Sequence, residues 1–270
     1  MQVENLSMVD SYTATYLPGG SCNTTLQSLI GAGDERLTAE LECITLNAGS
    51  VVFDDSTPDP HVIFPVDCVL SLRGIMPDGN SSELALVGDD GMVSLNALTG
   101  FHPVVSQLHM RWQAMRSGAA WRLPTRTVLD LIDASPAARR AVMANFNRLA
   151  WEFIARAQCN RHHRLEEQLC SWLLRFRALA QTDEIACTQQ EIADVIGVRR
   201  ESISDAFGNL RAAGAIGYGR GRLHIVDVQS LAARACCCQR VVDDRLSASI
   251  VSPVATKTPD KPTALRRTSE

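Results

Sequence analysis

The sequence predicts an α+β chain in two modules: a β-rich front half, a long connecting helix, and a small helical back half closed by a β-hairpin. Three observations lead there. Between Leu41 and about Leu123, short β-branched runs alternate with turn signals roughly every ten residues. Beyond Ser135-Pro136, apolar side chains recur every third or fourth residue, the period of a helix. Past Thr188, two helical segments meet at a glycine and are followed by two β runs around Gly219-Arg220-Gly221-Arg222.

The chain has 270 residues, 46% hydrophobic and 21% charged, a globular mixture that excludes wholesale disorder. No apolar run approaches the ~20 residues that span a bilayer. The N-terminus lacks a basic start followed by an apolar core, so no signal peptide is expected. These features predict a soluble cytoplasmic protein whose nine cysteines are reduced thiols.

In chain order, residues 1–21 are polar and aperiodic, a flexible leader. Leu26, Leu29, Ile30 and Leu37 anchor a short helical entry over 22–40. Strand-like runs follow at Cys43–Leu46, Val51–Phe53, His61–Phe64, Cys68–Leu72 and Glu83–Val87, with Pro77-Asp78-Gly79-Asn80 as a hairpin tip. Val128–Ile132 closes a β-roll over 22–134 with a short helix. Ser135 is a good N-cap and Pro136 suits a first helical turn, so a long helix over 135–164 begins there. Val142, Phe146, Leu149, Phe153 and Ala157 form an apolar stripe along it. Such a stripe lies on the β module or pairs with its twin in a dimer; between two modules, the dimer interface is preferred. A further helix carries Leu165, Leu169, Trp172, Leu173 and Phe176. The back module runs over 165–240, and 241–270 reads as a disordered tail.

Charge divides along the same boundary. Residues 1–134 carry a net −10 and residues 135–240 a net +5, within a total of −4. A basic back half suits a polyanion. Every basic residue before Lys257 is arginine, whose planar fork matches phosphate and guanine.

The most informative stretch is Thr188 to Asp227. Thr188 with Glu191 three residues on makes a capping box for a helix over Gln189–Ile196. Ala193 sits where two crossing helices touch, Gly197 takes the turn, and Val198 plugs it. A second helix begins near Arg199 with Ile203, Ala206, Phe207 and Leu210 inward. Arg199, Arg200, Ser202, Ser204, Asp205 and Asn209 are left to face outward. A helix whose polar N-terminal turns face out can enter the major groove, where Arg bonds two acceptors of guanine and Glu accepts from cytosine. After Gly214, the hairpin with Arg220 and Arg222 at its tip reads as a wing lying on phosphate or in a minor groove.

At Gln189-Gln190-Glu191-Ile192-Ala193-Asp194, Gly197-Val198-Arg199-Arg200-Glu201-Ser202-Ile203, Gly214 and the wing, the sequence resembles the Crp/Fnr family of bacterial transcription regulators. The resemblance covers about Leu26 to Val242. It implies a cyclic-nucleotide-binding-like β-roll, a long dimerisation helix and a C-terminal winged helix-turn-helix. The DNA-binding residues it implies are Gln189, Gln190, Arg199, Arg200, Glu201, Ser202, Ser204, Asp205, Arg220 and Arg222, with Arg200 and Glu201 reading bases. Asp205 departs from the pattern, because the best-known members carry Arg there. The acid loses a guanine contact and repels phosphate, so the operator is expected to differ from the well-known family sequence. Double-stranded DNA, a second copy of the chain and RNA polymerase are the expected partners, with no membrane.

The front module departs from the family's nucleotide chemistry. Gly91 is followed by Met92 rather than Glu, and Phe101 to Met110 holds no Arg in a small-residue setting. Tight binding of cyclic AMP is therefore not expected, and the effector is unidentified. Cys22, Cys43 and Cys68 lie too far apart for an iron–sulfur cluster. Cys236-Cys237-Cys238 reads as thiols rather than a metal site, since adjacent residues cannot readily all bind one ion, and His162-His163 reads as helix surface. No cofactor and no metal ligand is assigned. No Ser/His/Asp grouping, HExxH, P-loop or dinucleotide fingerprint occurs, so an enzyme is not expected. The competing reading is a ligand- or partner-binding β-roll protein whose DNA-binding domain has degenerated.

Overall fold

The computed structural model describes residues 23–32, 35–54, 60–93, 98 and 109–238. The expected leader and tail lie outside them. Asn23 starts the described chain as a buried cap. Its Oδ1 accepts from the Leu26 N–H at 2.9 Å, while its Nδ2 donates to the carbonyls of Pro65 at 2.9 Å and Gly91 at 2.7 Å. Helix α1 (Thr24–Ile30) and helix α2 (Glu35–Ala39) follow, delivering Leu26, Leu29 and Leu37 into the core.

The front module holds two antiparallel sheets. Strands β1 (Glu42–Leu46), β3 (His61–Pro65) and β7 (Gly118–Pro124) form one, in the order β1-β7-β3. Strands β2 (Val51–Asp54), β4 (Val69–Ile75), β5 (Ser81–Val87) and β6 (His109–Arg116) form the other, in the order β2-β6-β4-β5. The expected hairpin tip joins β4 to β5, closed by Met76 N–H donating to the Asn80 carbonyl at 2.8 Å. β3 is apolar on both faces for a reason. Side chains alternate along a strand, so Val62 and Phe64 join the core under the helices while Ile63 joins the core between the sheets.

Helix α3 (Thr125–Ala134) leads into the 27-residue helix α4 (Pro136–His162), capped as expected by Ser135, whose Oγ accepts from the Ala138 N–H at 3.3 Å. The apolar stripe of α4 does not serve one surface. Val142 and Leu149, at 3% and 2% exposure, pack into their own β module, with Phe146 half-buried beside them. Phe153 and Ala157 face out. The stripe straddles the boundary between two faces, so the expectation of a dimer interface is corrected for Val142 and Leu149. The apolar side chains left on the outer face of α4 are Met143, Ala150, Phe153 and Ala157, with Ile154 beside them and half-buried Phe146 at their edge.

The back module comprises helix α5 (Leu165–Ala180), strand β8 (Glu184–Ala186), helix α6 (Gln189–Ile196), helix α7 (Arg200–Ala212), strands β9 (Ile216–Gly219) and β10 (Arg222–Ile225), and helix α8 (Val228–Arg234). Its small sheet runs β8-β10-β9.

Two polar networks join the modules. Glu83 of β5, wholly buried, accepts from Ser71 Oγ at 2.8 Å, Trp172 Nε1 at 2.8 Å and Arg156 Nη2 at 3.0 Å, linking β4, β5, α4 and α5. The second gathers Asp90, Arg148, Glu152 and Arg175. Arg148 Nη1 lies 2.9 Å from Glu152 Oε1 and 3.7 Å from Asp90 Oδ2, while Arg175 Nη2 lies 2.6 Å from Asp90 Oδ2 and 2.9 Å from Glu152 Oε1. A Cβ at Gly91 would collide with the Arg148 guanidinium and the Asn145 amide, so a side chain there would have to displace two buried polar groups of α4. Glu152 also accepts from the Leu86 N–H at 3.2 Å, satisfying a backbone group on the edge strand β5.

Candidate nucleic-acid interface

The helix-turn-helix is built as its spacing predicts. Thr188 Oγ1 accepts from the Glu191 N–H at 3.1 Å, and Glu191 Oε2 accepts from the Thr188 N–H at 2.7 Å. This reciprocal cap fixes where α6 begins. Gly197 ends it at φ 80°, left-handed backbone that a side chain would strain. Ala193 is wholly buried, which lets α6 and α7 cross closely. Val198 is 36% exposed and does not plug the turn. The turn is held instead by backbone, with Gly197 and Val198 N–H both donating to the Ala193 carbonyl at 2.8 and 3.0 Å.

Helix α7 buries Ile203, Ala206, Phe207 and Leu210. Phe207 meets the Tyr218 ring edge-on at 5.0 Å between centroids, so the inward face of α7 locks the wing strand β9. The opposite face carries Arg199, Arg200, Glu201, Ser204 and Asp205, all exposed, with Ser202 half-buried. On α6, Gln190 is exposed and donates from Nε2 to Asp194 Oδ1 at 2.7 Å, while Gln189 is half-buried. Asn209 donates from Nδ2 to Glu166 Oε2 at 3.4 Å.

The wing turns at Arg220 and Gly221, with φ of 53° and 73°. Two consecutive positive φ values make the tight turn that matches hairpin twist. Arg220 and Arg222 project from it, exposed, and Arg222 sits 3.8 Å from Glu184 in a surface pair. The structure thus brings Arg199, Arg200, Arg220 and Arg222 to the surface of one small module, with Glu201 and Asp205 on the same α7 face as Arg199 and Arg200. That arrangement can meet phosphates at the wing and base edges at the start of α7.

In the front module, Met92 follows Gly91 directly after the loop that closes β5. Met92 is wholly buried in the core beneath the helices, and its backbone N–H and C=O both bond the Asn145 amide, at 3.1 and 3.2 Å. Of the Phe101–Met110 segment, residues 101–108 lie outside the described residues.

Sequence reasoning missed one constellation. His163, read as helix surface, has Nδ1 3.4 Å from Cys238 Sγ, and Cys159 Sγ lies 3.4 Å from Cys236 Sγ. The signal was present in the four-residue spacing of Cys159 and His163, which share a helix face.

Among known proteins, residues 167–234 match the family model of the Crp-like helix-turn-helix domain. No curated protein matches the chain. Solved structures do. A Crp/Fnr-family transcriptional regulator from Thermus thermophilus is 20% identical with a TM-score of 0.60, over 72% of this chain and 98% of that one. FixK2 from Bradyrhizobium japonicum is 15% identical with a TM-score of 0.58, over 73% and 98%. The global regulator CLP of Xanthomonas campestris, which responds to c-di-GMP, is 15% identical with a TM-score of 0.57, over 73% and 99%. Residues 167–234 are thus a Crp-like helix-turn-helix domain, carried on a chain with the fold of the Crp/Fnr-family transcriptional regulators.

Proposed function

We propose that the chain is a homodimeric transcription regulator that reads double-stranded DNA with α7 and steadies itself on phosphate with the wing. The observation that carries this is the outward N-terminal turn of α7, where Arg199, Arg200 and Glu201 are exposed and make no ion pair among the described residues. Arg200 and Glu201 read base edges, Ser202 and Ser204 lie near base or backbone, and Arg199, Arg220 and Arg222 meet phosphate.

The dimer forms along α4. Met143, Phe146, Ala150, Phe153 and Ala157 keep a heptad-like seam, and Met143 at 59% and Phe153 at 41% exposure are not covered fully by any of the described residues. Two copies of the winged helix then present two α7 helices to successive major grooves.

Binding to promoter fragments, followed by fluorescence anisotropy, tests this. Six phosphate-facing arginines per dimer predict a slope of log K against log salt of roughly −5. Phe153→Asp places a charge in the seam and is expected to give monomers by sedimentation and to lose specific binding. Salt-independent binding, or a Phe153→Asp variant that stays dimeric, would contradict the proposal.

The front module in this reading answers to something other than cyclic AMP. Met92 stands where the family resemblance calls for an acid, and its buried apolar side chain offers no carboxylate to a ribose, so calorimetric titration with cyclic AMP is expected to show no binding heat. Micromolar binding would overturn that reading.

A further inference from the structure

We propose that Cys159, His163, Cys236 and Cys238 bind one zinc ion, which clamps the end of α4 to the segment following α8. The four donor atoms all lie within 4.8 Å of one another. Two pairs are already at 3.4 Å, Cys159 Sγ to Cys236 Sγ and Cys238 Sγ to His163 Nδ1. A zinc tetrahedron with Zn–S near 2.3 Å and Zn–N near 2.0 Å has edges of about 3.5–3.8 Å, so the donors need only small shifts to enclose the ion.

The local chain explains why these four converge. Cys159 and His163 stand one turn apart at the C-terminal end of α4, on the same face. Cys236 and Cys238 are alternate residues and both reach the cluster, while Cys237 between them is exposed. The objection to a run of three adjacent cysteines therefore falls, because only the first and third are required. Surrounding groups hold the donors in place. The Gln168 amide donates to the His163 carbonyl at 2.9 Å, and the Cys236 N–H donates to the Glu167 carbonyl at 3.3 Å. Both contacts tie the ligand-bearing backbone to the first turns of α5.

The donor set selects the metal class. Three thiols and an imidazole suit zinc and disfavour magnesium or calcium, which take oxygen. Four protein ligands fill a tetrahedral shell, so the site is structural and leaves no position for substrate. Its place gives it a consequence. His163 caps α4, and α5, the first helix of the back module, begins two residues later. An ion there fixes the joint between the dimer helix and the DNA-binding module, with the chain beyond α8 as the second anchor.

The test uses the full chain, purified under reducing conditions, equilibrated with zinc and freed of excess. Elemental analysis is expected to give one zinc per chain. Cobalt in its place is expected to show the intense visible bands of a tetrahedral ion and a thiolate-to-metal charge-transfer band. Cys238→Ser and His163→Gln, made at half-buried positions so that folding survives by circular dichroism, are expected to weaken metal affinity by at least the roughly 10–100-fold typical of lost outer-shell support. Cys237→Ser is expected to leave it unchanged. The proposal is overturned if zinc does not bind in stoichiometric amount, if cobalt shows a six-coordinate spectrum, or if Cys237→Ser weakens binding as much as Cys238→Ser. It is equally overturned if the chain isolated under reduction holds a Cys159–Cys236 disulfide and no metal.

Discussion

Arg148→Ala is expected to lower the free energy of unfolding by about 3–5 kcal/mol, the range for removing one partner from a buried ionic network. Arg148 is 5% exposed and Glu152 6%, so little solvent screens them. With both arginines present, two positive and two negative groups balance. Without Arg148, Glu152 and Asp90 share the single guanidinium of Arg175, and both carboxylates repel across it. Arg148 and Arg175 tie the loop after β5 to both α4 and α5, so the loss falls on the joint between modules. Urea denaturation measures it, and a change below about 1 kcal/mol, the range of exposed pairs, would mean that water screens the network.

Acid titration of the same variant carries a sign. Burial alone would raise the Asp90 carboxyl, but Arg148 and Arg175 outweigh it and hold the group well below the usual carboxylate range. A folded-state value below the unfolded one stabilises the fold at neutral pH, and that contribution is lost as pH falls below about 4, the unfolded value. In Arg148→Ala, the Asp90 value rises toward normal. Less stability then remains to be lost in acid, and the variant's stability curve flattens below that pH.

Trp172→Ala is expected to cost about 3–5 kcal/mol, as for other large-to-small aromatic changes in a core. The ring is 2% exposed and stacks at a tilt on Phe176 with centroids 5.3 Å apart. Trp172→Phe separates packing from polarity. It keeps most of the ring but removes the Nε1–H donor to Glu83, and leaving that buried acceptor without its partner costs roughly 1–3 kcal/mol. Burial already pushes the Glu83 carboxyl up, against Arg156, Ser71 and Trp172, which favour its ionised form. Deleting the indole donor pushes it up further. Thermal melts of the two variants check the ordering, and a Phe variant as unstable as the Ala variant would contradict the division of effects.

What could be read from the sequence follows from the range of the forces involved. Caps, turns and periodicity act within a few residues, so Thr188–Glu191, Gly197, Ser135-Pro136 and the tip at Pro77–Asn80 were legible. Strands β6 and β7, which belong to different sheets, were not delimited, because only Ser117 separates them and no strong turn signal marks the boundary. Strand β8 is three residues long and is defined only by its partner β10. The stripe on α4 was legible as a stripe, but not as two faces, since only the β module decides which edge it covers. Long-range constellations left almost no trace. Glu83 meets Trp172 and Arg156 across 89 and 73 residues, and Cys159 meets Cys236 across 77. Residue type and helical position sufficed to place Arg199, Arg200, Glu201, Ser204 and Asp205 outward. Val198 was misplaced because backbone bonds, rather than an apolar plug, hold its turn.

The measurement that bears most directly on the whole account is selection of bound sequences from a random duplex pool, by the native chain and by Arg200→Ala in parallel. The native chain is expected to recover a two-fold symmetric site with half-sites one helical turn apart. Arg200→Ala is expected to lose preference at one guanine-bearing position in each half-site, about 1–3 kcal/mol of discrimination, while keeping the others. Recovery of no symmetric site by the native chain, or an equal weakening on all sequences in the variant, would contradict the assignment of α7 as the reading helix.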